Sequence, residues 1–378
     1  METQQNNKTY LQQRVYEQMN LTEEQCSLIL KGTYLPPEGQ MMNIFTSDNN
    51  DNIDILIYDI KRHIIEYEPD PEDLTKTQRS NGYDAENMLE SYKVKRYNPQ
   101  WLTEHPGYPK YKFPGGSTKK GTYPFFPPKL IEKYEAAVAG NMEKGHIDTL
   151  VLTEGYFKAM CASEHGIDIV GLGSVTLFAD SKTKRLYGDI ITLINTCKPN
   201  NIVILYDGDC VDISKDAIQD IKDGKVAELS KRPQGFLNVL KKLRDMLLEF
   251  KNAKGELCEL FFMHVAKVRE DNPPKGLDDL YCDKEYIQVA DEITRDLNTP
   301  GNPSKYLERL NLRTRQNQMS KMFYLNTPED FYTHWNEIIG TAEFSFKGGR
   351  YIYSAEQKAL IPYDYLQSTL KSRISTRR

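Results

Sequence analysis

Two short apolar runs that end on carboxylates constrain this chain more than any other feature. The first is Leu150-Val-Leu-Thr-Glu-Gly-Tyr-Phe-Lys158 and the second is Asn201-Ile-Val-Ile-Leu-Tyr-Asp-Gly-Asp209. An unbroken, β-branched run without polar alternation predicts a strand buried on both faces, the habit of parallel sheets. Open sheets of that kind bind ligands at the carboxyl ends of their strands, so three acids, Glu154, Asp207 and Asp209, are expected at such an edge. The surrounding periodicity predicts a strand over 148–153, a helix over 155–164, a strand over 167–172, a helix over 183–196 and a strand over 201–206. An insertion over 211–232, an amphipathic helix over 235–250 and a strand over 256–264 follow. Strands alternating with helices in this way predict an α/β fold, a parallel sheet covered on both faces and joined by right-handed crossovers.

The flanking regions read differently. Residues 1–30 suggest two short helices, with Thr22 and Glu24-Gln25 resembling a cap before Cys26-Ser-Leu-Ile-Leu30. Short strands are expected from Met42-Asn-Ile-Phe45 and Ile53-Asp-Ile-Leu-Ile-Tyr58, and a surface loop with one short helix over 68–100. Between Trp101 and Pro128, six prolines (Pro106, Pro109, Pro114, Pro124, Pro127 and Pro128) argue against a long helix. Lys110, Lys112, Lys119 and Lys120 are interleaved there with Tyr108, Tyr111, Phe113, Tyr123, Phe125 and Phe126. Cations beside π-faces suit a nucleic-acid backbone and stacked bases. A hairpin that packs its rings inward and leaves its lysines in water accounts for the same pattern. Beyond the linker Asn298-Thr-Pro-Gly-Asn-Pro303, Glu343-Phe-Ser-Phe-Lys-Gly-Gly-Arg-Tyr-Ile-Tyr353 predicts a hairpin turning at Gly348-Gly349. The expected partition is an N-terminal α+β region over 1–100, a Pro, aromatic and Lys-rich segment over 101–146, an α/β domain over 147–297 and a small α+β region over 298–378.

Composition narrows the function classes. The net charge of -5 argues against indiscriminate nucleic-acid binding, but residues 301–378 hold 12 Lys and Arg against 7 Asp and Glu, a basic region on an acidic chain. The six cysteines form no CxxC pair, so neither a zinc ribbon nor a disulfide framework is indicated. No run approaches the roughly 18 apolar residues that span a bilayer, and the polar start lacks an apolar leader, so a cytoplasmic protein with no membrane segment is expected.

The acids specify a chemistry. Mg²⁺ (or Mn²⁺) prefers hard oxygen ligands and keeps positions for water and substrate phosphates, and such ions can activate a hydroxyl and neutralise charge on a transferred phosphoryl group. A DxD sequence by itself is as well explained by a turn or helix cap; Glu154 at a matching strand end favours metal. Lys275-Gly-Leu-Asp-Asp-Leu280, just past the fourth strand, would bring Lys275 to a phosphate with Asp278 or Asp279 orienting the loop, unless those acids cap a helix. Gly171, Gly173 and Ser174 form a tight turn that would approach a phosphate or permit close packing. The six histidines form no catalytic pair, and there is no nucleophile elbow, Walker A sequence or dinucleotide fingerprint.

Taken in order, Lys112-Phe-Pro-Gly-Gly-Ser117, Tyr123-Pro-Phe-Phe-Pro-Pro128, Thr153-Glu-Gly-Tyr-Phe-Lys-Ala159, Val170-Gly-Leu-Gly-Ser-Val175, Tyr206-Asp-Gly-Asp209 and Lys275-Gly-Leu-Asp-Asp-Leu280 resemble the Toprim domains of primases from phages and mobile genetic elements. The likeness covers roughly residues 100–283. It implies a Toprim-like sheet in which Glu154 serves as metal ligand or general base and Asp207 and Asp209 as metal ligands. Two departures stand out. Many Toprim primases carry an acid where this chain has Lys158, which places a cation beside phosphates instead, and the cysteine-zinc module of bacterial primases is missing.

The resemblance therefore implies a DNA primase-like nucleotidyltransferase that makes short primers from nucleoside triphosphates on single-stranded DNA template in phage or mobile-element DNA replication. With no motor motif in this chain, a separate replicative helicase is the expected partner. A metal-dependent nuclease on the same carboxylates, and a non-catalytic nucleic-acid or replisome-binding module, are the alternatives.

Overall fold

The computed structural model describes residues 8–31, 43–65, 93–113, 123–179, 184–266, 274–283, 287–340 and 343–365. By contact the chain divides into two units, the first comprising Met1–Asp207 with Met246–Arg309 and the second Gly208–Asp245 with Leu310–Arg378.

The first unit begins with the two expected helices, Tyr10–Glu17 and Glu23–Lys31. Each starts in a reciprocal cap, Thr9 with Gln12 and Thr22 with Gln25, which satisfies backbone N–H groups that have no helical partner. Their inward faces bury Val15, Cys26 and Ile29, and Met19 in the connection between them is buried as well. Four short strands then form an antiparallel sheet in the order β1 (Phe45–Ser47), β2 (Ile53–Leu56), β3 (Lys93–Arg96) and β4 (Tyr111–Lys112). Strand β3 corrects the expectation of a surface loop through residue 100. Lys-Val-Lys-Arg has no apolar run to announce a strand, and its cations are tolerated inside by distant partners. Lys95 is buried against Asp48 and Asp54, with 2.8 Å to Asp54 Oδ1, and Arg96 Nε donates to Tyr10 Oη at 2.9 Å.

A five-stranded, mostly parallel sheet has the order β6 (Asp168–Leu172), β5 (Thr149–Glu154), β7 (Asn201–Tyr206), β8 (Glu259–Val265) and β9 (Leu307–Asn311); its first four strands lie in the first unit, and β9 runs past that unit's last residue, Arg309. Leu152 lies opposite Val170 of β6 and Ile204 of β7, and Ile204 lies opposite Phe262 of β8, all in parallel register. Leu150, Val151, Leu152 and Ile202 through Leu205 are almost wholly buried, each such side chain contributing about 1.5–3 kcal/mol by leaving water. The continuous apolar runs thus became central strands, as expected. Strand β9 was not foreseen: Leu-Glu-Arg-Leu-Asn sits at the sheet edge, where charged side chains reach solvent and hide the strand pattern.

The helix Tyr156–Glu164 is buried from Tyr156 to Ser163, as befits a helix apolar around its circumference. Helix Gly188–Cys197 starts five residues later than the periodicity suggested. Helix Pro128–Val138 was missed, because Pro128 was read as a breaker whereas a proline in the first turn lacks only an N–H that would be unpaired anyway. Ahead of it, Phe125 bridges to β6: Phe125 N donates to Gly171 O at 2.7 Å and Gly171 N to Phe125 O at 2.9 Å. A Cβ at 171 would stand 2.8 Å from Gly155 O and 2.9 Å from the Ala159 Cβ, so this glycine permits close packing rather than a phosphate approach.

The second unit contains a 3₁₀ turn, Gly208–Val211, and helix Lys215–Lys222, capped by Ser214, within the expected insertion. Helix Pro328–Ile339, capped by Thr327, and a three-stranded antiparallel sheet of β10 (Phe344–Phe346), β11 (Gly349–Ser354) and β12 (Ala359–Pro362) lie in the same unit. Phe346 is paired with Gly349, so the hairpin turns on Lys347-Gly348, one residue earlier than expected. Both residues have positive φ, +50° and +81°, the conformation a two-residue primed turn demands. Among the described residues no helix is long and apolar enough to cross a membrane.

Candidate functional site

Strands β5 and β7 are neighbours, and the pairing of Thr153 with Leu205 brings the ends of both strands to one edge. Glu154 closes β5 and Asp207 follows β7, so these two acids emerge side by side, as their sequence positions predicted. Gly155, at φ +99°, turns the chain from strand to helix within one residue, a conformation costly for any side chain. That abrupt turn places Lys158 in the first turn of helix Tyr156–Glu164, where it is 7% exposed and salt-bridged to Asp207 Oδ1.

A third acid, Asp278, joins them from the first turn of helix Leu277–Cys282. A Cβ at Gly276 would meet Asp278 Oδ1 at 2.7 Å and Lys158 Cε and Nζ at 2.9 and 3.1 Å, so the lysine head packs against the Lys275–Asp278 loop. Asp278 also accepts from Arg14 Nη2 at 3.4 Å. Burial opposes the charge on Lys158, but Asp207, Asp278 and Glu154 around it outweigh that and raise its pKa. For Asp207, burial pushes the carboxyl up to about 6, repulsion from Asp278 and Glu154 adds to this, and Lys158 opposes it. Asp278 moves the other way: burial would raise it, but Lys158 and Arg14 hold it below the ordinary carboxylate value.

The other expected site residues differ in their surroundings. Glu154 Oε2 accepts from Val175 N at 3.4 Å, in the turn after β6. Asp209 belongs to the second unit, where Arg232 Nη2 lies 3.2 Å from its Oδ1. Ion pairing does not close off either acid: the side chains of Asp207 and Asp209 keep 34% and 31% of their surface. Asp279 caps helix Leu277–Cys282, accepting from Lys275 N at 3.1 Å and Gly276 N at 3.0 Å, so it orients the loop. The Lys275 residue itself is exposed.

In the Pro-rich segment, Phe125 and Phe126 are buried in the core, whereas Tyr108 is 46% exposed beside Trp101. Lys112, on β4, sits opposite Lys95, and Lys110 immediately precedes that strand. Lys119 and Lys120 lie outside the described residues. Reasoning from sequence missed Asp278 as the acid facing Lys158 and missed Arg14 altogether; the second is 264 residues from its partner, and no local pattern signals it.

Among the described residues no group of three or more His, Cys, Asp or Glu side chains is arranged to hold a metal ion. The donors at the sheet edge do suit one class of ion. Mg²⁺ is commonly held by one or two carboxylates, with water and substrate phosphate completing the octahedron, and Glu154 with the partly open Asp207 supplies that set. No protein-family model matches this chain, and no curated protein matches it.

Proposed function

We propose that this chain is a Toprim primase-like nucleotidyltransferase, joining nucleotides into short primers on a single-stranded DNA template. The observation that carries this reading is the delivery of Glu154 and Asp207 to one edge of adjacent parallel strands, with the Lys158 ammonium between Asp207 and Asp278. Glu154 and Asp207 would hold Mg²⁺ or Mn²⁺, which when bound supplies charge neutralisation at the reacting phosphate and a more acidic 3′-hydroxyl.

The chain's own residues contribute orientation and charge. Glu154, steadied by Val175 N, would accept a hydroxyl proton where it does not serve as a metal ligand. Lys158, once an ion or substrate competes for Asp207, presents its ammonium to a phosphate oxygen, and Lys275 offers a second cation from the loop that Asp279 orders. Incubation with single-stranded DNA, labelled nucleoside triphosphates and Mn²⁺ should yield primers that Asp207→Asn abolishes. Loss of the template strand instead would reassign the carboxylates to a nuclease.

A second reading has one specific observation in its favour. Lys158 already neutralises Asp207, an arrangement suited to a phosphate-binding module without turnover. Template binding that persists in Asp207→Asn with no primer from the wild type would select it.

A further inference from the structure

The N-terminal elements of the first unit carry cations that the reading above does not use. Arg96, on β3, is 6% exposed, and phenol hydroxyls hold its guanidinium: Nε donates to Tyr10 Oη at 2.9 Å and Nη1 donates to Tyr111 Oη. Neutral hydroxyls satisfy its N–H groups without cancelling its charge. Arg14, from helix Tyr10–Glu17, lies 5.4 Å from the centroid of the Phe157 ring, and so does Arg96. The Arg14 Nε is buried with no hydrogen-bond partner, although Nη2 reaches Asp278.

Lys110 completes the group. Its ammonium lies 5.9 Å from the centroid of the Tyr111 ring, against which the Arg96 guanidinium also rests at 5.3 Å; the residue as a whole is exposed, and partial loss of water with repulsion from Arg96, Arg14 and Lys158 pushes the ammonium below the usual range. The carboxylates near these four cations are Asp278, Asp207 and Glu154, and the first two are already engaged by Arg14 and Lys158. Burying positive charge without a counter-charge is unfavourable unless something compensates it. Arg14 Nη1 and Nη2 donate to Gln18 Oε1 and Asp278 Oδ2, which leaves its buried Nε–H as the open donor, and guanidinium N–H groups match the oxygens of a phosphate.

We propose that Arg14, Arg96 and Lys110, with Lys158 at their margin, form a phosphoanion site that takes the polyphosphate of a nucleotide and holds it without a divalent ion. The anion chemistry stands on the cations alone; its assignment to a nucleotide rests on the nucleotidyl-transfer reading.

The test is calorimetric titration of the full chain with inorganic pyrophosphate in EDTA at about 0.15 M ionic strength. Saturable binding is expected, weakened about tenfold or more by Arg96→Met and by Lys110→Ala. The second substitution is at an exposed residue, so it leaves the interior intact. Lys225→Ala, in the second unit, should bind as the wild type does. Failure of the folded wild type to take up pyrophosphate, or equal affinity in both variants, overturns the site. ATP should displace pyrophosphate; displacement by a single-stranded oligonucleotide but not by ATP overturns the nucleotide assignment. Asp207→Asn should lose Mn²⁺ and keep pyrophosphate. Pyrophosphate uptake without any primer synthesis would remove the proposed function and leave this site standing, and primer synthesis without pyrophosphate uptake would do the reverse.

Discussion

Lys158 and Asp207 form a salt bridge across two neighbouring strand ends, the lysine from the helix after β5 and the aspartate from the end of β7. The Lys158 side chain is 8% exposed and that of Asp207 34%, so the pair is sheltered on one side and open on the other. The lysine opposes the burial that would otherwise neutralise the acid and holds the carboxylate in place until a competing cation arrives.

Removing the lysine charge should therefore cost stability. Lys158→Met leaves Asp207, Asp278 and Glu154 facing one another without their shared cation. Breaking a fully buried pair costs about 3–5 kcal/mol; solvent reaches Asp207, so the expected loss is about 1–3 kcal/mol. Urea unfolding measures it, and an unchanged midpoint would show that the pair contributes nothing.

A pH effect should come from elsewhere in the same unit. His165 lies flat against Tyr281, with ring centroids 4.0 Å apart, and its Nε2 donates to Met19 O at 2.9 Å. Burial lowers its pKa, against the opposing influence of the Met19 carbonyl. The native state then binds fewer protons than the unfolded chain, so stability falls as pH drops below the ordinary histidine value of about 6.5 and levels off below the lowered one. Asp207, its carboxyl pushed up to about 6, contributes the opposite slope over this range, so the histidine effect is read as a difference: from pH 7.5 to 5 the stability of His165→Gln should rise relative to that of the wild type. An identical slope in the variant would assign the effect to other groups.

Gly171 offers a packing test. With Gly155 O and the Ala159 Cβ inside 3.0 Å of any added methyl, Gly171→Ala must displace backbone. Overpacking of this kind costs about 1–3 kcal/mol. Because Gly171 also bridges Phe125, hydrogen exchange at the Phe125 amide should accelerate along with the fall in stability. Wild-type exchange in the variant would mean the backbone accommodates the methyl elsewhere.

What could be read from the sequence follows from how local each signal is. Strands β5, β6 and β7 announce themselves because their apolar runs are contiguous, and Glu154 and Asp207 are legible as the residues at which two of those runs stop. Strand β3 is illegible because Lys95 and Arg96 are made tolerable by Asp48, Asp54 and Tyr10, which lie far away in the chain. Asp278 and Asp279 look equivalent as letters, yet one faces Lys158 and Arg14 while the other caps a helix, a difference that exists only once the loop has folded. Asp207 and Asp209 likewise look like one motif, but their cationic partners are Lys158 and Arg232, from separate stretches of chain.

Uptake of Mn²⁺ tests the central claim most directly. Electron paramagnetic resonance of free Mn²⁺, titrated with the chain and a nucleoside triphosphate, reports binding without requiring turnover. The account predicts that the wild type withdraws Mn²⁺ from solution beyond what the nucleotide alone holds, and that Glu154→Gln and Asp207→Asn each weaken this by about tenfold or more. Equal uptake by the wild type and both variants would contradict it.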